Sequence, residues 1–531
     1  ETLEMTSLVE LLAAVCLVWA VVVVLVQTVG ITAIFVKFKE RNPPSVSSTL
    51  EDAPSVTIIR PVKGLEPCLY ECIASTFRQD YRRQKVSIRL CIQDTTDPAY
   101  PVLQQLIKDF PAYDAQIMVE AEDPVLHGAR GRVNMLGPNP KIRNISRAYR
   151  EAPGDIIWII DCNVWVASGV LGRMVDTLMG YSAPDAPARK PYKFVHQLPL
   201  VVDVVDFQQA ATAETQKLLG LPADAPANEP LWRRLWRNGG GRLDEMFMAT
   251  THVKFYGAIN VVGVAPCIVG KSNMFRKAHL DQVTDPARNP LLPANEGRPR
   301  GVDYFSHNIC EDHLIGDLLW RSRIPGFLNH GIAWGDLVLQ PMAGMSVSAY
   351  AARRVRWLRA RKFTVLAATL VEPGVESLLC CAYLAFGLTT LPGCARLLGI
   401  PQTWTAMGLI WLAAMFAWMM VDWHTFKHLH TGCTIETDQN TPRFAFGSAS
   451  PLGLPRRRFV EWLPAWIARE ALALPIWTRA VLLGTTVNWR GKVFHVRLDT
   501  TVEEVSSGTP ARLTRTPELE RARQGGKDRL H

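Results

Sequence analysis

The sequence predicts an α/β domain built on a parallel sheet and fastened to a membrane by apolar helices. Three observations carry that reading. β-Branched runs alternate with helix-like segments from roughly residue 55 to residue 166, the pattern of βαβ units. Nearly charge-free blocks stand apart from ordinary soluble sequence, within a chain of 531 residues that is 48% hydrophobic. Cationic residues crowd beside those blocks, as they do at a cytosolic membrane face.

The run "LVELLAAVCLVWAVVVVLVQTVGITAIFV", residues 8–36, carries one charge, Glu10. It exceeds the roughly 20 apolar residues that span a bilayer and reads as a transmembrane anchor. A cleaved signal peptide is the competing reading, but its apolar region is only about 7–15 residues long and follows basic residues, whereas Glu1, Glu4 and Glu10 stand here. Lys37, Lys39 and Arg41 follow the run, so the next domain is expected in the cytosol.

"SVTIIRPV", "KVSIRLCIQD" and "GDIIWIID" read as strands and "YPVLQQLIKDF" as a helix between them. A domain over 52–350 is expected. Residues 219–245 and 284–301, rich in Pro, Gly and Arg, read as surface insertions. A basic interfacial segment follows at 351–370, then two apolar segments forming a membrane hairpin over 375–424. Residues 459–489 read as a third span or an interfacial helix, because Arg469, Glu470 and Arg479 interrupt it. The polar tail 505–531 reads as disordered.

The net charge of +9 suits nucleic acid or an anionic membrane. Lys and Arg lie near the apolar blocks and in the tail, which favours the membrane and no nucleic acid. The eleven cysteines show no CxxC pair and no zinc spacing, so a reduced chain without disulfides or a structural metal is expected.

Four polar stations interrupt this frame. Asp94 and Asp97 in "CIQDTTDPAY" follow a strand, where carboxylates can hold a nucleoside or simply shape a turn. Asp161 ends the apolar run "GDIIWIIDCNVWV" with Asn163 two residues on, an Asp-x-Asn form of a divalent-metal motif in which Asp161 is the better ligand. Glu311 and Asp312 in "CEDHLIGDLLW" offer a general base or a charge favourable to a helix N-terminus. Arg353, Arg356 and Trp357 in "RRVRW" fall on one helical face, able to grip a diphosphate or to anchor the chain at a membrane surface.

In that order, followed by a membrane hairpin, these stations resemble inverting membrane glycosyltransferases with a GT-A fold. The stretches "RPVKGLEPCL", "CIQDTTDPA", "NPKIRN", "VHQLPLV", "CIVGKSNMFRKAHLDQ", "EDHLIGDLL", "RRVRWLRARK" and "VNWRGKVFHV" together resemble the ceramide glucosyltransferases, from about residue 8 to 497.

The resemblance implies transfer of glucose from UDP-glucose to the primary hydroxyl of ceramide, with inversion, on the cytosolic face of Golgi or ER membranes. It implies that Asp97, with Asp94 nearby, helps hold UDP, and that Asp161 lies near a divalent metal (Mg2+ or Mn2+) and the diphosphate. Asp312 is then the base on the ceramide hydroxyl. Arg353, Arg356 and Trp357 fall near the diphosphate and the acceptor entrance. His196 is expected near the nucleotide, and Lys63 and Lys141 near phosphate oxygens. Two rivals are a processive or other lipid-linked transferase, expected to carry Gln at position 353 and more spans, and a non-catalytic membrane scaffold or transporter, expected to lack an acidic station or to repeat its spans.

Overall fold

The computed structural model describes residues 2–127, 136–205, 230–292, 297–454 and 457–505. Seven strands form the central sheet: β1 (Val56–Pro61), β2 (Val86–Ile92), β3 (Asp114–Val119), β4 (Ile156–Ile160), β5 (Tyr192–Asp203), β6 (Ser272–Arg276) and β7 (Leu328–Met342). Their order is β3-β2-β1-β4-β6-β5-β7. β1 pairs in parallel with β2 and β4, whereas β6 runs antiparallel to both β4 and β5.

β1 and β4 are buried along their whole length, and the side-chain alternation of a strand sorts their apolar residues onto two faces. Ile58, Trp158 and Ile160 face one core with Ile73 and Met174; Ile59, Ile157 and Ile159 face another with Ile142, Ile145 and Leu319. The helices Leu69–Phe77 and Val170–Met179 cover the first face, and Pro140–Arg150 and Glu311–Arg321 the second. This layered α/β arrangement with apolar helices at both ends of the chain matches the expected GT-A fold class. The strand order reverses at β1, so the crevice beyond its carboxyl end is where such a sheet binds ligands.

The chain is a membrane protein. Among the described residues, Ser7–Lys37 and Trp404–His430 are each long and apolar enough to cross a bilayer, and Leu366–Val375 with Ser377–Thr390, bent by 70° between them, form a third candidate if counted together. The first of these lies in α1 (Thr2–Lys37), which packs along the Ser377–Thr390 and Val253–Val262 helices.

Three expectations about chain organisation need correction. Of the segment 219–245, the part up to 229 lies outside the described residues and residues 232–237 are exposed, but Gly240–Phe247 is a buried helix with Asp244 and Glu245 in the interior. Gly240 lets that helix approach the backbone of Ser346, where a Cβ would fall 2.2 Å from the carbonyl oxygen, so this glycine serves close packing. In 284–301, Thr284, Asp285 and Asn289 are buried, and Asn289 Nδ2 donates to the Val283 carbonyl at 2.6 Å and to Ser322 Oγ at 3.1 Å; residues 293–296 lie outside the described residues. The helix expected over 459–489 ends at Val481, with Arg469 paired to Glu376 and Glu470 inside the protein. A small antiparallel sheet follows it: β8 (Thr486–Trp489), β9 (Lys492–Val496) and β10 (Val502–Glu504). The tail from 506 onward lies outside the described residues.

Candidate active site

One cavity of about 560 Å³ lies beyond the ends of β1 and β4 and brings together Lys63, Lys141, Asp161, Asp312, Arg353, Arg356 and Trp357. Local chemistry places each of them. Asn139 caps the Pro140–Arg150 helix, accepting from the Lys141 and Ile142 N–H groups at 2.8 and 3.1 Å, with Pro140 in the first turn; cap and proline start the helix abruptly and aim Lys141 inward. Asp161 follows the last residue of β4, so the strand delivers its carboxylate to the rim. Asp312 sits in the first turn of the Glu311–Arg321 helix, where negative charge is favoured.

Lys141 Nζ is the hub. It lies 2.9 and 3.1 Å from the Asp312 oxygens, 3.3 Å from Asp161 Oδ1 and 3.4 Å from Glu311 Oε1. Burial disfavours its charge, but Asp161, Asp312 and Glu311 outweigh burial and keep it protonated. Lys271, which the sequence reading did not single out, donates to Asp161 Oδ2 at 2.9 Å and Asn163 Oδ1 at 3.1 Å. Burial pushes the Asp161 carboxyl up, yet the two lysines hold it below the usual carboxylate range. Glu311 is different: burial, then the Asp312 charge, raise it to about 7.

Cations line the opposite wall. Arg353 lies 3.3 Å from the buried Asp244 and stacks over Trp357, 4.5 Å from the ring centroid. Arg356 makes no ion pair with any described residue, and burial followed by Arg353 and Arg490 lowers its pKa to about 10. Arg490 reaches the cavity from the β8–β9 turn, where Arg490 (φ 52°) and Gly491 (φ 80°) both adopt left-handed backbone, the geometry of a two-residue hairpin. Crowded guanidinium groups of this kind suit a diphosphate.

Asp94, Asp97 and His196 do not line this cavity. Asp97 is buried and accepts from the Gly64 and Ala99 N–H groups at 3.0 Å; with Lys63 3.5 Å away, it fixes the turn that carries Lys63 to the rim. Asp94 is half-buried and bonds to Thr96, which lowers its pKa. His196 is buried in β5 and bonds to Tyr256; burial, then His330, push its pKa well down. It reaches the cavity through Tyr256, whose ring stacks on His252, a lining residue, at 5.2 Å.

Asp161 and Asn163, the oxygen donors that the Asp-x-Asn motif offers a cation, both accept from Lys271. Among the described residues no three Asp, Glu, His or Cys side chains are grouped to hold a metal ion. The geometry therefore does not fit a cation held by protein alone. Both Asp161 oxygens are engaged by Lys141 and Lys271, so a cation here would need other ligands, such as substrate phosphates, to complete its shell, as Mg2+ often does.

A family model, glycosyl transferase family 21, matches residues 13–206 and 236–502. The chain belongs to that family. As a family 21 glycosyltransferase it is an enzyme, and the scaffold and transporter alternatives fall away. It is 54% identical over 533 residues to the ceramide glucosyltransferase of Gibberella zeae, covering 99% of this chain and 100% of that one. It is 56% identical over 494 residues to the ceramide glucosyltransferase of Pyricularia oryzae, covering 92% and 94% respectively. Among solved structures, a mannosyltransferase of Pyrobaculum calidifontis in complex with GDP-Man and Mn2+ covers 79% of this chain and 97% of its own at 13% identity, with a TM-score of 0.37. That likeness is too low to bear on the site.

Proposed function

We propose that this family 21 enzyme transfers glucose from UDP-glucose to the primary hydroxyl of ceramide, with inversion, on the cytosolic face of a Golgi or ER membrane. The observation that carries the reading is the meeting of Asp161, Asp312 and the Arg353–Trp357 face around one cavity. The names of the relatives support the sugar and the acceptor, and Lys37, Lys39 and Arg41 after α1 support the cytosolic orientation.

Asp312 is the base. Lys141 holds both of its oxygens, which fixes the carboxylate in place to accept the acceptor's proton. The hydroxyl oxygen then bonds to the anomeric carbon as the bond from that carbon to the phosphate oxygen breaks. One in-line displacement inverts the centre, and UDP leaves with the bonding pair. Arg356, with Arg353 and Arg490 beside it, meets the charge growing on the diphosphate, and Lys63 and Lys141 serve phosphate oxygens. Asp94, Asp97 and the Lys63 turn take the nucleoside end. His196 positions the site through Tyr256 and His252. Asp161, together with the donor's phosphates, would hold a divalent cation, Mg2+ or Mn2+, which would supply positive charge at the leaving group. Trp357 offers an apolar wall to the acceptor.

The test is transfer of labelled glucose from UDP-glucose to a short-chain ceramide in membranes containing the chain, beside an Asp312→Asn variant and a UDP-galactose control. Product from wild type alone and from glucose alone supports the reading, with a loss on the order of 10²–10⁴ in the variant, the usual contribution of a general base. No transfer by folded wild-type protein overturns it.

A further inference from the structure

The sixteen residues from Phe255 to Gly270 contain no charged side chain. The first eight of them belong to the Val253–Val262 helix, which packs directly on α1. A Cβ on Gly30 would fall 1.8 Å from the Lys254 carbonyl oxygen and 3.1 Å from the Ala258 nitrogen, so the two backbones touch. Gly30 precedes Lys37, the basic residue that ends the span, by two helical turns, or about 10 Å along the axis. The contact therefore lies at the depth of the apolar run.

Beyond it the helix ends and turns outward. Gly263 takes a left-handed φ of 67°, and Val261, Val262 and Val264 are 48%, 58% and 75% exposed; Gly263 and Ala265 are exposed as well. Only four residues, about 6 Å of helix, separate Ala258 from Val262, too little to carry the tip far from the bilayer. Lys254, the nearest charge on the helix itself, is fully buried and paired with Asp422 of the Trp404–His430 helix at 2.7 Å, so it presents nothing polar to lipid. Five consecutive apolar residues exposed beside a membrane span form a patch that water does not favour.

We infer that Val261–Ala265 is a knuckle inserted among the acyl chains of the leaflet next to the active site, continuing the lipid-facing surface of α1. The same segment runs on to Ile268, Val269 and Gly270, which line the cavity, with Gly270 against Asp312. The knuckle thus joins the acyl phase to the cavity within a few residues. Resting on the proposed function, it is the edge past which the acceptor's chains lie while its hydroxyl reaches Asp312.

The test uses the full chain in lipid nanodiscs, with an environment-sensitive fluorescent amino acid incorporated at position 264 or, as a control, at Gln84 beside the far end of the sheet. Blue-shifted emission at 264 that brominated acyl chains quench and aqueous iodide does not, with the opposite pattern at 84, is the expected result. Iodide quenching at 264 equal to that at 84 overturns the inference. A Val261→Ser/Val262→Ser/Val264→Ser variant reads the acceptor clause: KM for long-chain ceramide rises several-fold while KM for UDP-glucose holds, and an equal rise in both overturns that clause. If wild type transfers nothing to ceramide, the proposed function fails while the quenching result still decides the membrane contact.

Discussion

Gly270 and Asp312 are packed so closely that no side chain fits between them: an ideal Cβ on Gly270 falls 1.8 Å from Asp312 Oδ2 and 2.3 Å from its Cγ. The loop before β6 therefore sets where the proposed base can stand.

Replacing Gly270 with Ala is expected to turn Asp312 away from Lys141. A misplacement of about 1 Å at a reacting group costs on the order of 10²-fold, so kcat should fall roughly that far while KM for the donor holds. Steady-state kinetics beside a thermal melt checks this. An unchanged kcat in a folded variant would remove Asp312 from the role of base.

Lys271→Met strips one of the two cations from Asp161. A hydrogen bond to a charged group contributes about 1.5–3 kcal/mol, so kcat/KM for the donor should drop by roughly 10–100-fold, and Lys271→Arg should restore part of it. Titrating Mg2+ against both variants provides a second readout: freed of Lys271, Asp161 should bind the cation at lower concentration.

Glu311 links stability to pH. Burial and the Asp312 charge raise its carboxyl from 4.5 to about 7 in the folded chain, so the native state holds a proton that the unfolded state releases. Stability from this group is full below the unfolded value and is lost as pH rises through about 7. Melting temperature in detergent should therefore decline from pH 5 to pH 8 more steeply in wild type than in Glu311→Gln.

Lys254→Met leaves Asp422 buried without its partner. Breaking a buried pair in this way costs about 3–5 kcal/mol. The melting point should fall sharply, and a Lys254→Met/Asp422→Leu double variant should recover much of the loss. A neutral single substitution would show that Trp466, which donates to Asp422 at 2.9 Å, satisfies the carboxylate unaided.

β1, β2 and β4 were legible because each is an apolar run broken by a polar residue, and the break at Asp161 coincides with the strand's end. Asp312 and Arg353–Trp357 were legible as charged residues on helices. Lys271 was not, because its role depends on β6 lying antiparallel beside β4, a non-local pairing with no trace in its own neighbours. Arg490 was hidden by extending a helix across Leu482–Trp489; the Arg-Gly pair between "TVNW" and "KVFHV" was the available hairpin signal. Asp97 and His196 were visible as polar residues, but only the folded chain shows that backbone N–H groups engage the first and Tyr256 the second. Gly240 read as a loop because close packing and flexibility draw on the same residue.

The placement of Arg490 bears on biosynthesis. The central sheet, the acids and the arginine helix all precede the Ser377–Thr390 and Trp404–His430 helices along the chain, yet the cavity wall is completed by a turn that follows them. A ribosome releases that turn only after the candidate spans among the described residues have been made. Catalytic competence should therefore arrive only after those helices have been made, and a polypeptide stalled before the turn would carry most of the machinery while remaining inert toward its donor.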